Sequence, residues 1–436
     1  MNVLPNGGLS LASLDDQTLL PGVKGLPITA PLQQGAIGRQ GWNVLRGDTS
    51  YPVALLRQSA LEHNLDWMRK FCEHFKVALS PHGKTTMSPQ LFGAQLANGA
   101  WGITLATIPQ VQVAARYGVQ RVLLANELTG PSDIRAVLQL MKDKPQFEFF
   151  ALADSVEGVQ RLSRAVQGSG LQRELPLLVE QGASGKRAGC RTREEVLNVA
   201  RAIAAAPGLQ LAGIEGYEGV LTSDDREGSV TLVNGFLQQM AELLRQADSE
   251  GLFGGSQIII SAGGSSHFDL VARGFAGIGG LSRPVLPILR SGCYLTNDHG
   301  HYYEHTQELS QREPEAPPGG LQPALEVWSV VLSRPEPNLA ILSMGKRDAS
   351  HDLGLPHPLL VQREGAAAPE QIPAAAEIFK MNDQHAYLRL PEGFDIKVGD
   401  LVGCGISHPC TTFDKWPMML VVDDSYRVTG AVNTFF

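Results

Sequence analysis

Eight short apolar runs, each closed by polar or glycine residues and followed by a helical stretch, limit what this chain can fold into. They lie at 76–80, 102–106, 121–125, 148–153, 176–180, 211–215, 257–261 and 285–289. The intervening stretches, such as 89–98, 108–117, 132–141, 155–166, 192–205 and 229–247, place apolar residues at helical spacing. Strands that alternate with helices must run parallel, because each crossover brings the chain back to its starting end. Eight such units over about 220 residues fit a closed (β/α)8 TIM-like barrel, whose usual size is roughly 250 residues. A doubly wound open sheet is the runner-up. It ranks second because the count is eight and no glycine fingerprint opens the first unit.

The alternation stops near Tyr294. Beyond about residue 300 come a Pro-rich loop at 313–320 and strand-like stretches at 324–333, 339–343, 386–390, 401–404 and 418–422. The expected architecture is an N-terminal arm over 1–45 packed on the β domain, a barrel over 46–298, and a smaller mostly-β domain over 299–436. Within 46–298, residues 52–56 read as a short strand and 59–75 as an amphipathic helix, with Leu61, Leu65, Met68 and Phe71 on one face.

Composition narrows the partners. The formal net charge is −8 with acids and bases interspersed, and no basic block marks a nucleic-acid or anionic-membrane surface. No apolar run approaches the roughly 18 residues of a membrane span. The first 17 residues hold two acids and no Lys or Arg, unlike a signal peptide. Five scattered cysteines form no disulfide framework, so a cytoplasmic protein acting on a small molecule is expected.

A barrel's working residues sit at the carboxyl ends of its strands. After the first run comes Ser80-Pro-His-Gly-Lys-Thr, whose Lys84 would present its amine at the barrel mouth. A partly desolvated amine has a lowered pKa and condenses with an aldehyde. After the seventh run comes Ser261-Ala-Gly-Gly-Ser-Ser. There Gly263, Gly264 and Ser265 could offer backbone N–H groups and a hydroxyl to a phosphate, at the strand position where barrels commonly hold one. A lysine facing a phosphate cradle describes a pyridoxal-phosphate site. Arg187 after the fifth run and Tyr217 after the sixth could each contact the pyridine ring or its nitrogen.

In the C-terminal part, His408 and Cys410 stand two apart. On an extended segment they would face one side, and imidazole plus thiolate suits Zn²⁺. Asp383 and His385 could complete such a site, and the segment from Asp298 to His305, with its dense histidines, is a rival.

Together these residues resemble the D-threonine aldolase and eukaryotic-type D-serine dehydratase family. Pro81-His-Gly-Lys84-Thr is similar to that family's Pro-His-x-Lys-Thr segment, and Arg187, Tyr217 and Gly263-Gly-Ser follow in the family's order over about residues 50 to 425. The resemblance implies pyridoxal phosphate on Lys84, His82 among the cofactor contacts, and a metal (Zn²⁺, or another divalent ion such as Mn²⁺) in the β domain near the substrate hydroxyl. It also implies a homodimer. His408-x-Cys410 is similar to the dehydratase branch, whereas the aldolase branch has Asp at the second position. The implied reaction is loss of water and then ammonia from a D-configured β-hydroxy amino acid such as D-serine, D-threonine or 3-hydroxyaspartate. The alternatives are aldol cleavage on the same scaffold, a non-catalytic pyridoxal-phosphate carrier, and a barrel for another ligand. The chain departs from the pattern after Lys84, reading Thr-Thr-Met where the family continues Thr-His-Lys.

Overall fold

Each apolar run is flanked by residues that start or stop a helix, and the strands begin and end accordingly. In the computed structural model, which describes residues 4–223 and 225–436, all eight runs are strands of one parallel sheet. They are Ala78–Leu79, Ile103–Leu105, Arg121–Glu127, Glu148–Ala153, Leu175–Gln181, Leu209–Gly216, Ile258–Ala262 and Val285–Leu289. The eighth strand pairs in parallel with the first. The ring is completed by a parallel bridge between His82 and Thr104, with the Thr104 N–H donating to the Pro81 carbonyl at 2.9 Å. The sheet is therefore the barrel and not the open doubly wound alternative. Its inside is filled by Leu123, Phe150, Leu152, Leu178, Ala212, Ile259 and Ile288, an apolar plug contributed by successive strands.

The helices follow from local chemistry. Pro occupies the first turns of Pro89–Ala97, Ile108–Arg116 and Pro131–Asp143, where its missing N–H costs nothing. Thr192 and Glu195 form a reciprocal capping box at the start of Arg193–Ala205.

The chain divides into two compact units. The barrel unit is Arg69–Lys84 with Gly99–Gly292; the other comprises the chain up to Met68, Thr85–Asn98 and Cys293–Phe436. In the second unit a mostly antiparallel sheet includes Leu325–Glu336, Leu339–Leu342, His357–Gln362, Ala386–Arg389, Leu401–Gly405 and Met418–Val422. The strand Val53–Arg57, placed by sequence within the barrel region of 46–298, pairs instead with Leu325–Glu336 and Met418–Val422. It is apolar on both faces because it is a central strand: Val53, Ala54, Leu55 and Leu56 are all buried. Residues of the N-terminal arm (Leu19, Leu26, Ile37 and Val44) share one buried cluster with Val53, Trp328, Leu420 and Tyr426. Among the described residues, no helix is long and apolar enough to cross a membrane.

Candidate active site

The first barrel strand ends at Leu79, and a short 3-10 turn, Gly83–Thr85, then carries Lys84 in a half-buried position. His82 is fixed by its backbone. Its N–H donates to the Arg290 carbonyl at 3.1 Å, and its bridge to Thr104 seals the barrel. Its buried Nδ1 has no hydrogen-bond partner. Burial holds the imidazole's pKa well below its ordinary value, and the positive charges of Lys84, Arg290 and Arg187 push it the same way. Three positive charges therefore bear on one neutral ring at this strand end. Arg187 lies over the Tyr217 ring at 4.9 Å, so the two residues expected to contact the cofactor ring are stacked on one another.

The glycine loop after the seventh strand makes the turn its sequence requires. Gly263 has φ +93°, which L side chains avoid. A Cβ on Gly264 would meet the Tyr217 ring at 2.7 Å. The N–H groups of Gly263 and Gly264 do converge on an anion, but that anion is the carboxylate of Glu218. The two groups donate to its Oε2 and Oε1 at 2.9 and 2.7 Å. The expectation that these two N–H groups stand open to phosphate oxygens is thus corrected. The loop does hold a negative charge, one that the chain itself supplies.

Sequence reasoning passed over a buried charge cluster among these strand ends. Arg290 pairs with Glu215 at 2.6 Å and donates to Ser261 Oγ at 2.9 Å and to the Gly216 carbonyl at 3.0 Å. Burial pushes the Glu215 carboxyl up to about 7 although Arg290 opposes this. Burial, together with Glu215 and Glu127, pushes Glu180 up to about 10. Glu127 ends its strand, Glu180 and Glu215 are the next-to-last residues of theirs, and Arg290 directly follows one; charge at the end of an apolar run was the available signal.

The second unit holds His408 and Cys410. They are not on an extended segment: Pro409 is helical, and Cys410 opens the short helix Cys410–Phe413. The two nevertheless interact. Burial opposes charge on His408, but the Cys410 thiolate and Asp352 outweigh it and raise the imidazole to about 9. A hydrogen bond from Cys293 is the main influence holding the Cys410 thiol well below its ordinary value, with His408 and Thr85 contributing. His408 Nδ1 meets Asp352 Oδ2 at 2.7 Å, and Thr411 Oγ1 donates to the other Asp352 oxygen at 2.8 Å. Cys410 Sγ lies 3.3 Å from Thr85 Oγ1 and 3.6 Å from Cys293 Sγ.

These residues fit a divalent metal in their chemistry. A carboxylate on one ring nitrogen leaves the other to ligate, the usual support of a metal-bound histidine, and the neighbouring donor is a thiolate. As the side chains stand, no three His, Cys, Asp or Glu among the described residues already enclose an ion. Asp383 does not complete the set; it pairs with Arg347 at the exposed surface. The rival segment is put to structural use. Asp298 Oδ1 accepts from the N–H groups of Gly300, Tyr302 and Tyr303 and so caps the helix His301–Arg312.

Comparisons with known proteins bear on the fold and the family. Residues 56–281 match the family model described as alanine racemase, N-terminal domain, and residues 324–422 match that of a putative serine dehydratase domain. A 3-hydroxy-D-aspartate aldolase of Paracoccus denitrificans (strain Pd 1222) is 27% identical over 307 residues, 70% of this chain and 74% of the relative. Among solved structures, the D-threonine aldolase from Filomicrobium marinum superposes with a TM-score of 0.73 at 22% identity, covering 92% of this chain and 98% of that one. The D-threo-3-hydroxyaspartate dehydratase from Delftia sp. HT23 gives 0.68 at 19% identity, covering 90% and 99%.

Proposed function

We propose, for a chain that belongs to the alanine racemase N-terminal domain family in its D-threonine aldolase and D-serine dehydratase branch, and is thus a pyridoxal-phosphate-dependent lyase, that its reaction is dehydration of a D-configured β-hydroxy amino acid to a 2-oxo acid and ammonia. What supports this choice is residue 410, a cysteine where the resemblance gives the aldolase branch an Asp, together with its interaction with His408, whose Nδ1 meets Asp352.

Bound pyridoxal phosphate supplies an electron sink for charge developing at the substrate's α-carbon. Lys84 would hold the cofactor, and its Nζ is the group placed to accept the substrate's α-proton. His82, kept neutral by burial and by Lys84, Arg290 and Arg187, supports the strand end from which Lys84 projects without adding a competing positive charge. Arg187 and Tyr217, stacked on one another, would contact the cofactor ring, and the loop of Gly263, Gly264 and Ser265 would receive the phosphate once the Glu218 carboxylate gives way. His408 Nε2 and Cys410 Sγ would hold Zn²⁺, whose role when bound is that of a Lewis acid on the leaving hydroxyl. Loss of the α-proton and of the β-hydroxyl, which takes a proton and leaves as water, would yield an enamine that tautomerises to the imine, and addition of water to that imine gives the 2-oxo acid and ammonia.

Chelation, or Cys410→Ala, separates this reading from its rivals. Either should leave a folded, yellow protein that still exchanges the substrate α-proton with solvent deuterium. Ammonia release should fall roughly a thousand-fold or more, since a Lewis acid on a leaving oxygen supplies several kcal/mol. Full deaminase turnover by preparations shown metal-free by elemental analysis would refute the assignment. Glycine and an aldehyde as products would move the reaction to the aldol cleavage named for the Paracoccus relative.

A further inference from the structure

We propose that Cys293 is a third protein ligand of the metal, completing with His408 and Cys410 a two-sulfur, one-nitrogen set with one position left open. The proposal rests on the metal reading of His408 and Cys410 given above and adds a residue to it.

Cys293 directly follows the eighth barrel strand's closing segment and begins the 3-10 turn Cys293–Leu295. Its side chain is buried, and its Sγ lies 3.6 Å from Cys410 Sγ. Two sulfurs bound at ~2.3 Å to one tetrahedral zinc stand about 3.8 Å apart along the tetrahedron's edge. The observed separation therefore already approximates that edge. Thr85 Oγ1 touches both sulfurs, at 3.3 Å from Cys410 and 3.9 Å from Cys293, and so holds the pair side by side. On the third side, Asp352 occupies His408 Nδ1 and turns Nε2 into the available donor.

The three donors do not yet enclose a point, so closing on an ion takes a side-chain rotation of Cys293 or His408. Two thiol sulfurs held side by side offer a metal a pair of soft ligands. Zinc with two thiolates and one imidazole, and a fourth position free, is an established form of catalytic site. The second sulfur also sets metal preference. Soft thiolates favour Zn²⁺ over oxygen-seeking Mn²⁺ and Mg²⁺, which a single thiolate enforces less strongly.

Zinc-edge X-ray absorption on the zinc-loaded holoenzyme counts the sulfurs directly and needs no variant to fold. Two sulfur neighbours at ~2.3 Å are expected in the wild type. One is expected in Cys293→Ser, whose zinc affinity by chelator competition should fall by more than ~100-fold, beyond the loss of an outer-sphere partner. A wild-type site with one sulfur, whose zinc is lost in Cys410→Ser, would overturn the role of Cys293 and leave the two-ligand reading standing. Zinc uptake unchanged by Cys410→Ser would overturn both.

Discussion

Lys84 and Gly264 show how the same residue types acquire different meanings from their neighbours. A lysine in a loop is ordinarily a solvated cation. Lys84 is half-buried, and its charge acts on His82 together with those of Arg290 and Arg187. Borohydride treatment of the purified holoenzyme should fix the cofactor on Lys84, identified by peptide mass. Lys84→Ala should abolish that label; a variant labelled as strongly as wild type would exclude the assignment. Gly264 is constrained by a wall: a Cβ there meets the Tyr217 ring at 2.7 Å and Glu218 Oε1 at 3.3 Å. Gly264→Val should displace both groups and weaken cofactor binding by more than ~10-fold, about 1.4 kcal/mol, in a fluorescence titration. An unchanged dissociation constant would separate this loop from the phosphate.

At the scale of elements, the helix His301–Arg312 is the instructive case. Its first turn reads as a cluster of possible metal ligands, yet its opening N–H groups need an acceptor, and Asp298 Oδ1 accepts from Gly300, Tyr302 and Tyr303. Burial raises the Asp298 carboxyl to about 6 even though these three donors favour its charged form. Asp298→Ala should cost about 1–2 kcal/mol in urea unfolding, the usual worth of such a cap. Zinc stoichiometry should stay at the wild-type value. Loss of zinc with stability intact would mean that Asp298 is a ligand after all. The same scale explains the strand Val53–Arg57. Its letters are those of any buried strand, and only its registers with Leu325–Glu336 and Met418–Val422 assign it to the β sheet.

For the molecule as a whole, the buried acids of the barrel set the response to pH. Glu180 is raised to about 10 by burial, with Glu215 and Glu127 adding to the shift. A carboxyl whose folded pKa exceeds its unfolded value of ~4.3 gives its full stabilisation below that value. Folding then weakens steadily as pH rises and the unfolded chain gives up a proton the native state keeps. The decline ends once pH passes the folded value. The melting temperature should therefore fall between pH 5 and 10. Glu180→Gln, which cannot ionise, should flatten that fall and leave the variant more stable than wild type at pH 9. An equal slope in both proteins, measured by calorimetry, would remove Glu180 as the source.

Period and punctuation are local properties, and what depends on them was legible in the chain: eight strands, the helices between them, the later β strands, and the strand-end positions of Lys84, Arg187, Tyr217 and Gly263-Gly264. The resemblance of the Pro-His-x-Lys-Thr segment carried the cofactor further than spacing could. Tertiary structure alone decided which distant groups meet within each unit. Glu218 fills the cradle of Gly263 and Gly264, Arg290 neutralises Glu215, and Asp352 and Cys293 gather around His408 and Cys410. Each of these partnerships joins residues tens to hundreds of positions apart. Such pairings come from strand register and loop closure, which no local pattern of letters records.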